Sequence, residues 1–202
     1  MHSKELLGML KEERQTLFFS ATMPKEIGDL AQKFLKNPIT VEVKSRATSE
    51  NVEQNVITVK NSDQKLDILH DLLLKPDFKK VLIFRKTKRS VESLSAALVK
   101  NGFRSDSIHG DKSQSQRERA LRRFSQDELQ ILVATDVAAR GLDIPDVSHV
   151  INYDLPENYE DYIHRIGRTG RGTKTGNALT FIEEGLGAVA RPNVRSFGRG
   201  RR

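Results

Sequence analysis

Ile131-Leu132-Val133-Ala134-Thr135-Asp136-Val137-Ala138-Ala139-Arg140-Gly141-Leu142-Asp143 opens with four apolar residues in a row and closes in a polar loop. A short, continuous apolar run bounded by turn residues reads as a strand buried on both faces. Runs of this kind recur from about Val52 onward, at Val56–Val59, Val81–Phe84, Ser107–Ile108, Val147–Tyr153 and Ala178–Ile182. Between them lie apolar stripes at helical spacing: Leu66, Leu69, Leu72 and Leu73; Val91, Leu94 and Leu98; Ala120, Leu121 and Phe124. Strands alternating with helices predict an α/β fold, one open parallel sheet with helices on both faces.

The first 50 residues follow another pattern. Thr16-Leu17-Phe18-Phe19 reads as a fully buried strand, yet only Ile39–Val43 stands nearby to flank it. A buried parallel strand needs neighbours on both edges, so residues 1–43 are expected to be the N-terminal remnant, the trailing edge, of a preceding domain. Residues 44–54 read as a polar linker, 55–184 as the sheet domain and 185–202 as a disordered basic tail with repeated Arg and Gly. Residues 1–14 read as a charged amphipathic helix rather than a leader, and no apolar run reaches membrane-spanning length. A soluble, cytoplasmic protein without membrane contact is the expectation.

Composition narrows the chemistry. The 202 residues contain no cysteine, which excludes disulfides and cysteine-ligated zinc, and the five histidines lack metal-ligand spacing, so no metal site is expected in this chain. A net charge of +7 favours a polyanionic partner without specifying one.

Ligands of an open α/β sheet gather beyond the carboxyl ends of the strands. After Ala134, Thr135 could bond a phosphate and Asp143 accept from a ribose hydroxyl; a capped helix start, with Asp136 at the N-cap, is an equally good reading. After Ile108, His109-Gly110-Asp111 precede Gln114 and Arg117, which open a helix whose amino end would attract a phosphate; an ordinary polar helix start reads the same way. Ser20-Ala21-Thr22 follows the first strand and could simply cap a helix beginning near Pro24. The densest cluster is His164-Arg165-Ile166-Gly167-Arg168-Thr169-Gly170-Arg171. If helical through its first turns, it puts His164, Arg168 and Arg171 on one face, while Gly167 and Gly170 allow a ligand or a second backbone to come close. The bland reading is a solvated basic face.

Together these segments resemble the DEAD-box family of ATP-dependent RNA helicases from about Thr16 to Ile182. Ser20-Ala21-Thr22 is similar to motif III, Leu82-Ile83-Phe84 to motif IV, Gln114 with Arg117 to motif IVa, Ala134–Asp143 to motif V and His164–Arg171 to motif VI. A histidine at 164, where the DEAH relatives carry glutamine, points to the DEAD-box branch. The Arg-Gly tail resembles those of several bacterial members.

The resemblance implies a RecA-like (P-loop NTPase-like) helicase C-terminal domain that binds ATP with Mg2+ and RNA, single-stranded or duplex, without sequence preference. It implies that Arg168 and Arg171 act as arginine fingers, that Gly141 and Asp143 help bind ATP, and that His164, Ser20 and Thr22 couple the nucleotide to the other domain. Thr135, Gly110, Gln114 and Arg117 are implied to hold the RNA backbone.

Two family features are absent from the sequence: a G-x-x-x-x-G-K-[ST] phosphate loop and an Asp-Glu-Ala-Asp box. Residues 185–202 likewise offer no counterpart to the family's closing helix. The metal would be held by the missing first RecA-like domain, and these residues alone are not expected to hydrolyse ATP. The alternative is a standalone RNA-binding or interfering module without an ATPase cycle. A DNA-translocating relative is a third reading.

Overall fold

The computed structural model describes residues 11, 13–20, 23, 25–41, 51–140, 144, 146–170 and 175–184. The chain divides into two compact units, Met1–Lys44 and Ser45–Arg202.

In the first unit the one described helix is α1 (Lys25–Phe34). The strands expected at Thr16–Phe19 and Ile39–Val43 do not form over their described residues. Phe19 is 88% and Ile39 92% exposed, and neither segment lies in a ladder. An apolar run is a strand only when another backbone supplies its hydrogen bonds, and none does so among the described residues. Of the helix expected over residues 1–14, only Lys11, Glu13 and Arg14 are described, and they are not helical.

The second unit is the predicted sheet. Its elements are β1 (Val52–Val59), α2 (Ser62–Leu73), β2 (Val81–Phe84), α3 (Lys88–Lys100), β3 (Ser105–Ile108), α4 (Gln114–Ser125), β4 (Ile131–Ala134), α5 (Asp136–Ala139), β5 (His149–Asn152), α6 (Tyr159–Ile166) and β6 (Gly176–Glu183). All five pairings are parallel, in the order β1-β6-β5-β2-β4-β3. The strand period of two divides the core. Val81 and Ile83 of β2, with Ile131 and Val133 of β4, pack under α2 and α3 through Leu69, Leu73, Val91, Leu94 and Leu98. Leu82, Phe84, Leu132 and Ala134 face the other way, against Ala120 and Phe124 of α4 and the two alanines of α5. Val52 and Ala178 meet Tyr162 and Ile166 of α6.

Strand β1 starts at Val52, so Val52–Gln54, read from sequence as linker, belongs to the sheet. The polar run Glu53-Gln54-Asn55 hides the strand because its partners are polar too: Tyr162 donates its hydroxyl to Gln54 Oε1 at 2.7 Å. Helix starts are fixed locally. Asn61 caps α2, Thr87 and Ser90 form a reciprocal box at α3, Ser113 and Gln116 do so at α4, and Asn158 caps α6. No helix among the described residues is long and apolar enough to cross a membrane.

Candidate functional site

Helix α6 decides how the arginine cluster is used. Its core side follows the i, i+3, i+4 rule through Tyr162, Arg165 and Ile166, which are buried, while His164 is half-buried. Arg165 is therefore internal, 2% exposed. Its Nε and one terminal nitrogen clasp both oxygens of Asp136 at 2.6 and 2.7 Å; the other nitrogen donates to the Asp154 carbonyl at 2.6 Å and to Asn152 Oδ1 at 3.2 Å. The fork thus joins α6, the head of α5 and the carboxyl end of β5 in one planar, charge-assisted bond set. Its guanidinium also lies 5.1 Å from the Phe84 ring centre. One of the three clustered guanidiniums is consumed as a strut.

Helix α6 ends at Ile166, so the single helical face that would join His164 to Arg168 does not form. Gly167 is the C-cap, and the chain turns back so that Thr169 bridges to Val147 and donates its hydroxyl to the Val147 carbonyl. Gly170 sits at φ +66°, where a Cβ would lie 2.8 Å from Val52 Cγ2 and 2.9 Å from the Asn51 carbonyl oxygen. A β-carbon at Gly176 would strike the backbone nitrogen of Gly170 and the side chain of Thr169. The close approach expected at Gly170 is thus of a second backbone. This turn, rather than helical phase, sets where Arg168 emerges. Arg171 lies outside the described residues.

Arg168 and His164 line a shallow hollow beside the ends of β2 and β4, with Phe84, Asp136, Ala139, Arg140 and Asp161. Both acids there are occupied: Asp136 by Arg165, and Asp161 by Arg140 at 2.9 Å. The acids of the hollow are thereby paired, and the Arg168 guanidinium and the His164 imidazole line it beside them. Such a donor set fits a multiply charged anion.

Thr135 caps α5 by backbone geometry, so Asp136 is its first residue and not the N-cap as one sequence reading held; the acid is drawn to Arg165 instead. The Thr135 hydroxyl makes no capping bond. Its N–H donates to the Ile108 carbonyl at 3.3 Å, which brings the head of α5 beside the loop that follows β3. Gly110, exposed in that loop, would accept a Cβ with no protein atom within 4 Å, so packing within the unit does not demand glycine there. Gln114 begins α4 and donates to Glu118 at 2.8 Å; Arg117 follows one turn on, its Nε buried without a hydrogen-bond partner. Thr135, Gly110, Gln114 and Arg117 thus flank the ends of β3 and β4. Ser20 is in the first unit. Thr22, Gly141 and Asp143 lie outside the described residues.

Sequence reasoning missed the groups beneath these positions. Asp154 accepts from Arg85 Nε at 2.8 Å and from the Lys86 N–H at 2.9 Å, cross-bracing the ends of β5 and β2. Glu92 gathers Ser107 and His109; the Ser107 hydroxyl foremost, aided by His109 and Lys112 and opposed by partial burial, holds its carboxyl below the ordinary glutamate range. Helical phase could have exposed Arg165, three residues from Tyr162. No local signal marks Glu92. A larger hollow of about 730 Å3 lies at the opposite, amino end of the strands, lined by Leu74, Pro76, Phe78 and Phe103 among others, and holds none of the candidate residues. Chemistry rather than size selects the site.

Known proteins share this fold. Residues 64–173 match the helicase conserved C-terminal domain. The E. coli DEAD-box protein SrmB, solved bound to the regulator of ribonuclease activity A, is 36% identical over 64% of this chain and 76% of its own, with a TM-score of 0.61. A DEAD box protein from Methanococcus jannaschii is 41% identical over 90% of this chain and 48% of its own (TM-score 0.62). S. cerevisiae Dbp5 bound to RNA and ADP BeF3 is 33% identical over 89% and 48% (TM-score 0.75). The chain spans about half the length of the last two.

Proposed function

We propose, from the premise that this chain belongs to the DEAD-box family of RNA helicases and carries their C-terminal domain, that it supplies one wall of a composite ATP site and part of an RNA grip. The observation that carries the reading is the division of labour along α6 and the turn that follows it: Arg165 turns inward to Asp136, while His164 and Arg168 line the hollow. A shallow, cation-lined surface of this kind suits the phosphates of a nucleotide held from the opposite side by another lobe.

In this reading Arg168 and Arg171 meet the γ-phosphate as charge develops on it, and Gly141 and Asp143 serve the nucleotide further from the reacting atoms. Guanidiniums placed this way act by electrostatic stabilisation of the transition state and need no proton transfer of their own. His164, together with Ser20 and Thr22, relays nucleotide occupancy to the companion lobe. ATP supplies the free energy of the cycle; its Mg2+ and the attacking water belong to the first RecA-like lobe. Thr135, Gly110, Gln114 and Arg117 hold the sugar-phosphate backbone, which carries affinity without base readout and so suits unwinding of any duplex. The same reading sets the work in the cytoplasm.

Mixing supplies the test. The 202-residue chain is assayed for RNA-stimulated ATP hydrolysis alone and with a separately produced first lobe from a DEAD-box relative. Activity that needs both components is expected. Turnover by the chain alone that disappears in Arg168→Ala would contradict the shared site, and RNA binding indifferent to the added lobe and to ATP would favour a standalone binding module. Lower affinity for DNA than for RNA of the same sequence separates the reading from a DNA translocase.

A further inference from the structure

Glu92, on the second turn of α3, serves the loop between β3 and α4 from outside it. A single oxygen, Oε2, accepts from Ser107 Oγ at 2.5 Å and lies 3.0 Å from His109 Nε2 and 3.6 Å from Lys112 Nζ. Lys112 also approaches Asp106 at 3.6 Å. Lys88, four residues before Glu92, holds Asp111 at 2.8 Å. Of the seven residues from Asp106 to Lys112, only Ile108, buried in the core, and Gly110, exposed at the tip, are outside this web of side-chain contacts. Gly110 is the one the RNA reading needs uncovered.

Resting on that reading, we infer that Glu92 is a positioning residue for RNA binding: its carboxylate fixes the loop that presents Gly110 and the head of α4 to the sugar-phosphate backbone. An ionised carboxylate only accepts, so His109 turns a protonated Nε2 toward it. His109 Nδ1 is buried without a hydrogen-bond partner, and so Glu92 sets the ring's orientation and tautomer from one side. Ser107, tied to the same oxygen, is the penultimate residue of β3, next to Ile108, whose carbonyl receives the Thr135 N–H. The loop and Thr135, two parts of the proposed grip, are thereby held in one register.

Charge and position make opposite demands on Glu92, which gives the inference a sign. The side chain is 57% exposed. A carboxylate beside an RNA-facing loop repels phosphate, so by electrostatics alone its removal tightens binding. Loss of positioning weakens it.

The experiment measures fluorescence anisotropy of a labelled single-stranded oligouridylate with the full chain as wild type, Glu92→Ala and Glu92→Gln. The alanine variant is expected to bind about tenfold more weakly, the scale of a lost charge-assisted bond set. The glutamine variant, which retains an acceptor, falls between. Melting temperatures stay close, because alanine at an exposed helical position favours the helix. Long-range proton–nitrogen NMR of the free chain shows His109 protonated at Nε2 in the wild type and no longer fixed so in Glu92→Ala. Equal or tighter RNA binding by both variants, or an unchanged His109 ring spectrum in Glu92→Ala, overturns the inference while leaving the RNA site intact. A wild-type chain that binds no RNA removes both.

Discussion

The two ends of the sheet use polar residues in different ways. At the amino end they close on the backbone and on one another. Ser148 Oγ takes the Lys80 N–H at 3.1 Å and donates to the Lys80 carbonyl at 2.9 Å; Gln130 donates to the carbonyls of Leu73 and Phe78 at 3.0 and 2.9 Å. Lys80 itself is buried, with Nζ 2.7 Å from Asp127 and 3.2 Å from the Ser125 carbonyl. At the carboxyl end, side chains pair across elements, Arg85 with Asp154 and Arg165 with Asp136, and further cations stand at the rim. At one end hydrogen bonds seal these polar groups within the protein, even where Lys80, Asp127 and Gln130 border the larger hollow. The other end is braced by such bonds, and a second set of groups lines the hollow beside the braces.

Removing a brace should therefore cost most. Arg165→Ala leaves Asp136, the Asn152 amide and the Asp154 carbonyl without their donor, and should lower unfolding free energy by about 3 kcal/mol, the scale for breaking a buried pair. Urea unfolding measures it; a loss no larger than that of a surface substitution would erase the distinction between the two ends. Next comes the turn that carries Arg168. Gly176→Ala drives a β-carbon into Gly170 and Thr169 and should cost roughly 2 kcal/mol by overpacking, with a parallel fall in any Arg168-dependent activity.

The smallest effect belongs to the sealed end and depends on pH. His149 is buried and stacks on Phe78 with ring centres 3.8 Å apart; desolvation lowers its pKa below the ordinary 6.5, partly opposed by Asp77. A histidine whose folded pKa is depressed contributes stability that is complete above the unfolded value and is lost as pH falls toward the folded one. Melting temperature should drop between about pH 7 and 5 in the wild type and less in His149→Phe, which keeps the stack. Parallel curves for the two proteins would show that His149 does not carry the effect.

How much of this could be read in the sequence follows from how local each cause is. Val81–Phe84 and Ile131–Ala134 form strands at the expected residues because burial on both faces needs only an apolar run. Val52–Gln54 is hidden because its ladder partner is β6 and the partner of its Gln54 side chain is Tyr162, each over 100 residues away. Thr16–Phe19 failed in the opposite sense, with local character present and a pairing strand lacking among the described residues. At the site, the arginine cluster was conspicuous, but composition could not divide it. That Arg165 points inward follows from helical phase; that Arg168 lies past the helix end follows from the Thr169 bridge and the close packing of Gly170, which no single-residue pattern encodes.

The central claim is that Arg168 faces a ligand while Arg165 faces the protein. Single-turnover ATP hydrolysis with RNA and the first lobe supplied, measured beside a melting curve for each variant, tests it directly. Arg168→Ala should slow hydrolysis about a thousandfold, as loss of an arginine finger does, with little change in melting temperature, whereas Arg165→Ala should lower the melting temperature first. Hydrolysis undiminished in Arg168→Ala, or a melting temperature that collapses with it as far as with Arg165→Ala, would contradict the account.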